Sequence, residues 1–400
     1  MLNFVTKAPL PRRVLAFASV THVWSDLFFA LLVPLLPAIK EDLGLSFAEV
    51  GLLRSLFTGA TAVLQIPAGI LAESVGEFWL LILGNVWVSL GLIGMALSPV
   101  FIVLLVASFI GGLGGGTQHP LGSSMVSRTY EERGRSTAVG TVNFAGDIGK
   151  MLAPLLALIA IPFGWRAALW VVGISGLLFM ALSIPARRLV DIGRPVASGP
   201  KESTEDGSGA QMGGFVLLSV VGFLDSATRG ASLVFLPFVM DAKGMGAGQI
   251  SLLLIVLFAG GAAGKYVVGW LGDRFSAVSL IWGTKGLTGL LLGLSLVAPP
   301  IAMAPLVAVL GVGLNGTSSA LYASVADLVP ARRRARLYGF FYTTNEGGTV
   351  LAPLVYGIIA DLYNLSITMV LMGLATMLIL PVSLSLRKHL SPSMTPSKAV

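Results

Sequence analysis

The chain is 400 residues long, 55% hydrophobic and only 11% charged, with a mean hydropathy of +0.87. Soluble surfaces need about a quarter of residues charged, so a water-soluble protein is excluded and lipid is the solvent for most of the chain. Cysteine is absent, which excludes a disulfide scaffold, a thiol nucleophile and thiolate metal ligation.

At roughly 20 residues per membrane helix, this apolar content supplies on the order of ten to twelve spans. In chain order, the apolar runs predict helices near 14–37, 47–71, 79–97, 99–127, 136–160 and 165–185, then 213–240, 248–271, 277–297, 301–328, 337–360 and 364–386. The expected fold is therefore an all-α polytopic membrane protein of twelve transmembrane helices. Residues 1–185 form one six-helix bundle and 214–400 a second. The connector at 186–213 contains RPVASGPKESTEDGSGAQMGG, which has too little apolar surface to fold and reads as a flexible cytoplasmic linker.

The formal charge of +7 follows from topology. Alternate loops hold eighteen basic residues on one face, including Arg12, Arg13, Arg128, Arg187, Arg188, Arg274, Arg334 and Arg387. The opposite face has three, Lys40, Arg166 and Lys243, and the other five of the 26 lie inside spans. That asymmetry places both termini in the cytoplasm and implies no nucleic-acid partner. The basic N-terminus precedes a run that is span-length and contains Asp26, so it reads as a retained first helix, not a signal peptide.

The halves repeat each other at an offset of about 199–200 residues. GILAESVG at 69–76 falls on GWLGDRFS at 269–276, Leu152-Ala153-Pro154-Leu155 on Leu351-Ala352-Pro353-Leu354, and Gly149 on Gly348. The same shift sets Asp26 on Asp225 and Asp147 on Glu346. The two bundles are thus pseudo-symmetric copies in parallel orientation.

Inside the spans lie Asp26, Arg54, Asp147, Lys150, Asp225, Arg229, Lys265, Lys285 and Glu346, with His22 and His119. Each charge costs at least a few kcal/mol against lipid, so these residues must be turned inward and paired. Residues three or four apart share a helix face, which joins His22 to Asp26, Asp147 to Lys150, and Asp225 to Arg229. A histidine beside a carboxylate can exchange a proton near neutrality; proton coupling or a substrate role is the reading for Asp26 with His22. Asp147 with Lys150 reads either as a structural ion pair or as a proton-coupling acid beside a substrate-binding lysine, and Asp225 with Arg229 either as a structural ion pair or as substrate contacts. Glu346 has Asn345 beside it and no cation on its own helix; it is either a partner of Lys265 or Lys285 or a carboxyl that carries a proton. Arg54, at the start of the second span, reads as a snorkelling residue.

The fourth span contains GGLGGGTQHP. Its Gly112 and Gly116 permit close helix contact, and Pro120 interrupts the backbone ladder. A broken helix at mid-membrane offers polar groups to a substrate, which makes Gln118, His119 and Asn315 of the tenth span binding candidates; Asn345 and Lys285 are candidates too. Gly311 to Gly316 satisfies G-x-G-x-x-G, but no strand precedes it and the dinucleotide reading fails. No P-loop occurs, and metalloenzyme spacings around the histidines are missing, so neither a cofactor nor a metal is expected.

Two six-helix halves, a central cytoplasmic linker and G-x-L-x-D-R after the eighth span (Gly269, Leu271, Asp273, Arg274) resemble the major facilitator superfamily of transporters. The resemblance implies a cytoplasmic gate in which Asp273 and Arg274 pair with neighbouring helix ends, Arg334 among them. The first-half copy has Glu73 for the aspartate. THVWSD (His22, Asp26), LSFAEVGLL and QHPLGSS (His119, Pro120, Ser123, Ser124) are similar to the fosmidomycin-resistance branch, proton-driven drug exporters. The combined expectation is a monomeric, multi-pass inner-membrane transporter that exchanges protons for a small solute by alternating access. Five intramembrane cations against four acids point to an anionic solute. Export is favoured; symport of a small organic acid, or a facilitator, is the alternative, and a membrane-embedded enzyme the remote one.

Overall fold

A computed structural model describes residues 8–130, 132–193, 212–272, 274–329 and 334–390. All regular structure among them is helical. The first half comprises α1 (Leu10–Leu43), α2 (Phe47–Val75), α3 (Glu77–Ala96), α4a (Phe101–Gly115), α4b (Gln118–Ser127), α5 (Glu132–Ala160) and α6 (Trp165–Ser183). The second comprises α7 (Met212–Ala242), α8 (Ala247–Leu271), α9 (Ala277–Val297), α10 (Met303–Leu328), α11 (Arg334–Leu362), α12a (Leu365–Met377) and α12b (Ile379–Leu384). Among the described residues, eleven helical segments are long and apolar enough to span a membrane. The twelfth long helix, α11, is more polar because Asn345 and Glu346 sit at its middle.

The two broken helices have local causes. At α4, Gly116 and Thr117 form a turn just before Gln118-His119-Pro120. Proline has no N–H to return to the carbonyl one turn back, so the ladder opens where the sequence predicts it. The turn at Leu378 precedes Pro381 in the same way. Pro34 and Pro37 lie inside α1, which ends at Gly44 in the left-handed conformation (φ 64°) that glycine adopts without a Cβ penalty.

By contact, the chain groups into two compact units. The first is Met1–Leu45, Leu56–Gly199 and Ala247–Ile255; the second is Ser46–Ser55, Pro200–Gly246 and Val256–Val400. The described part of the connector begins with a 3-10 turn, Ile184–Leu189; residues 194–211 lie outside the described set.

Within the first unit the glycines of α4a set the helix spacing. A Cβ on Gly111 would collide with Gly91 of α3, one on Gly112 with the Phe57 carbonyl of α2, and one on Gly116 with the Thr61 carbonyl. The core below them is formed by Val14, Phe17, Leu81, Leu121, Met125 and Val142. In the second unit Phe215, Leu218, Ile281, Leu321, Val325 and Phe341 do the same. These cores hold the polar residues of α1, α5, α7, α9 and α11 away from lipid.

Candidate functional site

In the first unit, α1 brings His22 and Asp26, α4b brings His119, and α5 brings Asp147 and Lys150. They converge because α1 and α5 pack backbone to backbone. A Cβ on Gly149 would overlap the Val23 carbonyl, and one on Gly146 would meet Asp26 Oδ2 and His22 Nε2. Asp26 and His22 are buried. Lys150 Nζ is 3.1 Å from Asp26 Oδ2 and 3.1 Å from Asp147 Oδ1. The other oxygen of Asp26, Oδ1, faces two imidazoles, with His22 Nε2 at 3.6 Å and His119 Nε2 at 3.8 Å. The two rings meet edge to face, 4.9 Å between centroids.

The two sequence pairs, His22 with Asp26 and Asp147 with Lys150, are therefore one cluster. With both carboxylates ionised, Lys150 charged and the imidazoles neutral, it carries one net negative charge. Neither nitrogen of His22 makes a hydrogen bond, which is costly for a buried ring and marks it as poised for another partner. The His119 side chain is 50% exposed and supplies the opening. Gln118 turns away: it is buried, and its amide donates to the Ala18 carbonyl of α1 at 3.4 Å.

The second unit repeats the frame with different chemistry. On α7, Asp225 is buried between two cations: Lys285 Nζ of α9 at 2.5 Å and Arg229 Nη1 at 3.8 Å. Lys285 is fully buried and committed to Asp225. Arg229 is more open and donates to Ser226 Oγ at 3.0 Å. One carboxylate against two cations leaves one net positive charge. The expected Asp225–Arg229 contact is present, but the shorter partner is Lys285, one of two lysines that the sequence offered as alternative partners of Glu346. Asn345 of α11 is buried against Gly222, and Tyr322 lies within electrostatic reach of Arg229. Asn315 packs its amide on Gly261 of α8.

Arg54 is a correction. It is 4% exposed, so it does not snorkel, and Glu346 of the same unit is the acid that acts on it. A cation within electrostatic reach of Glu346 thus comes from α2.

Of the expected cytoplasmic gate, Asp273 lies outside the described residues, as does the side chain of Arg334. Arg274 stacks on Trp270 at 4.0 Å, and Glu73 is exposed. The buried acid in this region is Glu77, which sequence reasoning missed. Its carboxylate accepts from Ser124 Oγ at 2.5 Å and from Arg128 Nη1 at 2.7 Å, and Arg128 also donates to the carbonyls of Ile192 and Gly193. The signal available was Glu77 followed by an apolar run with a basic residue ending α4b. Tyr322 was likewise missed, for lack of any pattern to distinguish it from core.

The Major Facilitator Superfamily profile matches residues 18–209 and 218–399. The chain is 25% identical to the fosmidomycin resistance protein of Escherichia coli, over 93% of each chain. It is 28% identical to the gentisate transporter of Corynebacterium glutamicum, over 90% of this chain and 84% of that one. A crystal structure of a bacterial homologue of the human lysosomal transporter Spinster superposes with a TM-score of 0.79 at 15% identity, covering 98% of this chain and all of that one. These similar proteins are transporters, not enzymes. An integral, multi-pass chain built of two such halves, and matched over nearly its whole length, belongs to the Major Facilitator Superfamily.

Proposed function

We propose that the protein is a proton-coupled secondary transporter that moves a small organic anion, export favoured, by alternating access. The observation that carries the reading is the surplus cation of the second unit. Lys285 neutralises Asp225, and Arg229, 24% exposed at its side chain, keeps donors of its planar fork for a carboxylate or phosphonate. The likeness to a gentisate transporter supports an acidic substrate, and the likeness to a fosmidomycin resistance protein supports export.

Coupling is assigned to the first unit, whose surplus charge is negative and whose Asp26 faces two imidazoles. When a proton arrives at Asp26, Lys150 is left to Asp147, already 3.1 Å away. When it departs, Lys150 again bridges both acids. Asp147 and Lys150 thus hold the charge balance through the cycle. The setting is the bacterial inner membrane, with a monomeric chain and both termini cytoplasmic, as the basic-residue asymmetry supports.

Everted proteoliposomes under an imposed pH gradient test the reading against a panel of aromatic and aliphatic carboxylates and neutral analogues. Accumulation of a carboxylate that collapses with the proton gradient and is lost in Arg229→Ala is the expected result. Equal transport of neutral analogues by both proteins removes the anion assignment. Accumulation only under the opposite gradient would replace export with symport.

A further inference from the structure

We propose that His22, Asp26 and His119 form a binding site for a divalent transition-metal ion of the zinc class, and that its occupation blocks the cycle. One donor atom from each of the three residues lies within 4.8 Å of the others. A metal with bonds near 2.0–2.2 Å needs donors roughly 3.3–3.5 Å apart. The imidazole nitrogens already stand 3.6 and 3.8 Å from the same oxygen, Asp26 Oδ1, so tenths of an ångström at His22 and a modest swing of the half-exposed His119 complete the set.

Three features make this a seat for a metal and not merely a polar cluster. The buried His22 ring has no hydrogen-bond partner on either nitrogen, so ligation takes no existing bond from it. The carboxylate divides its oxygens: Lys150 holds Oδ2 at 3.1 Å, leaving Oδ1 for the ion and keeping the ammonium outside the inner ligand set, where it orients the carboxylate. The surplus negative charge of the cluster admits a cation despite Lys150. Two imidazole nitrogens with one carboxylate oxygen select zinc, nickel, cobalt or copper over magnesium or calcium. Entry is from the His119 side, the exposed edge. With the ion bound, α1 and α4b are tied through Asp26, and the residue assigned to coupling is unavailable to protons.

The test uses the full-length chain in detergent with any affinity tag removed. Zn²⁺ binding is followed by calorimetry, and Co²⁺ binding by its visible d–d absorption. One ion per chain is expected, with intense bands of a four- or five-coordinate site. Affinity should fall at least about tenfold in His119→Gln, on the scale of even outer-shell changes at metal sites. It should also fall between pH 7.5 and 5.5, because the ligating imidazoles must be deprotonated. His389→Gln, partly buried beside Gly214 at the start of α7 and outside the cluster, should bind as the parent does. Wild-type affinity in both His22→Gln and His119→Gln, loss confined to His389→Gln, or the weak absorption of hexa-aquo cobalt would overturn the site. If His22→Gln fails to fold, the half-exposed His119 carries the test alone. Transport is not required for any of these readouts, so they stand apart from the substrate assignment.

Discussion

Asp26 on α1 and Asp225 on α7 occupy equivalent positions of an internal repeat, and each helix packs against a partner glycine. Gly149 of α5 meets the Val23 carbonyl, and Gly348 of α11 meets the Phe223 carbonyl. Around these matched contacts the charges differ. Asp26 shares one lysine with a second acid and faces two imidazoles; Asp225 is held between a lysine and an arginine. Duplication preserved the backbone approach, which tolerates no Cβ, while the side chains above it were free to take opposite charge. One copy carries a surplus carboxylate, the other a surplus cation.

The sharpest way to break that division is Asp26→Asn. It should abolish proton-driven accumulation in proteoliposomes yet leave binding of a carboxylate ligand measurable by thermal shift; retained coupling would sink the assignment. Next is Lys285→Met, which strands a buried aspartate and should cost about 3–5 kcal/mol, as broken buried ion pairs do. Unfolding in denaturing detergent reads this, and Lys285→Met with Asp225→Asn should recover most of the loss. Arg229→Ala should weaken anionic ligands by about 1.5–3 kcal/mol, the range for charged hydrogen bonds, with neutral ligands nearly unaffected in competition assays. An equal loss for both would return Arg229 to a structural pair. Finally, Gly149→Ala and Gly348→Ala should each destabilise by about 1–3 kcal/mol through overpacking. Similar losses confirm that the frame is shared; a large inequality means that the halves have diverged in packing as well as in charge.

The spans, the repeat and the break in α4 were legible because each rests on a one-dimensional signal: apolar length, constant offset, and a proline after glycines. The pairs His22–Asp26 and Asp147–Lys150 were legible for the same reason, three- and four-residue spacing on one helix. That they form a single cluster was not, since nothing in the chain states that α1 and α5 touch. Lys285 could reach Asp225 or Glu346 by sequence alone, and the choice depends on how α9 is rotated. Arg54 failed similarly: its distance from the helix start suggested the interface, while the face it occupies buries it. Gln118 and His119 were both expected to face a substrate, although adjacent helical residues point about 100° apart. That expectation was correctable without coordinates, and His119 is the one that is open.

The unequal treatment of the two oxygens of Asp26 gives the site a direction. Because an ammonium occupies Oδ2 and the imidazole side leaves Oδ1 available, anything that binds this carboxylate must approach along one path and leaves a single protonated geometry behind. A carboxyl so constrained should show one narrow carbonyl stretching band in isotope-edited infrared difference spectra, where a symmetrically solvated acid shows a broad one. Under the proposed coupling role of Asp26, that band would report the arrival and departure of the proton, read against isotopically labelled protein.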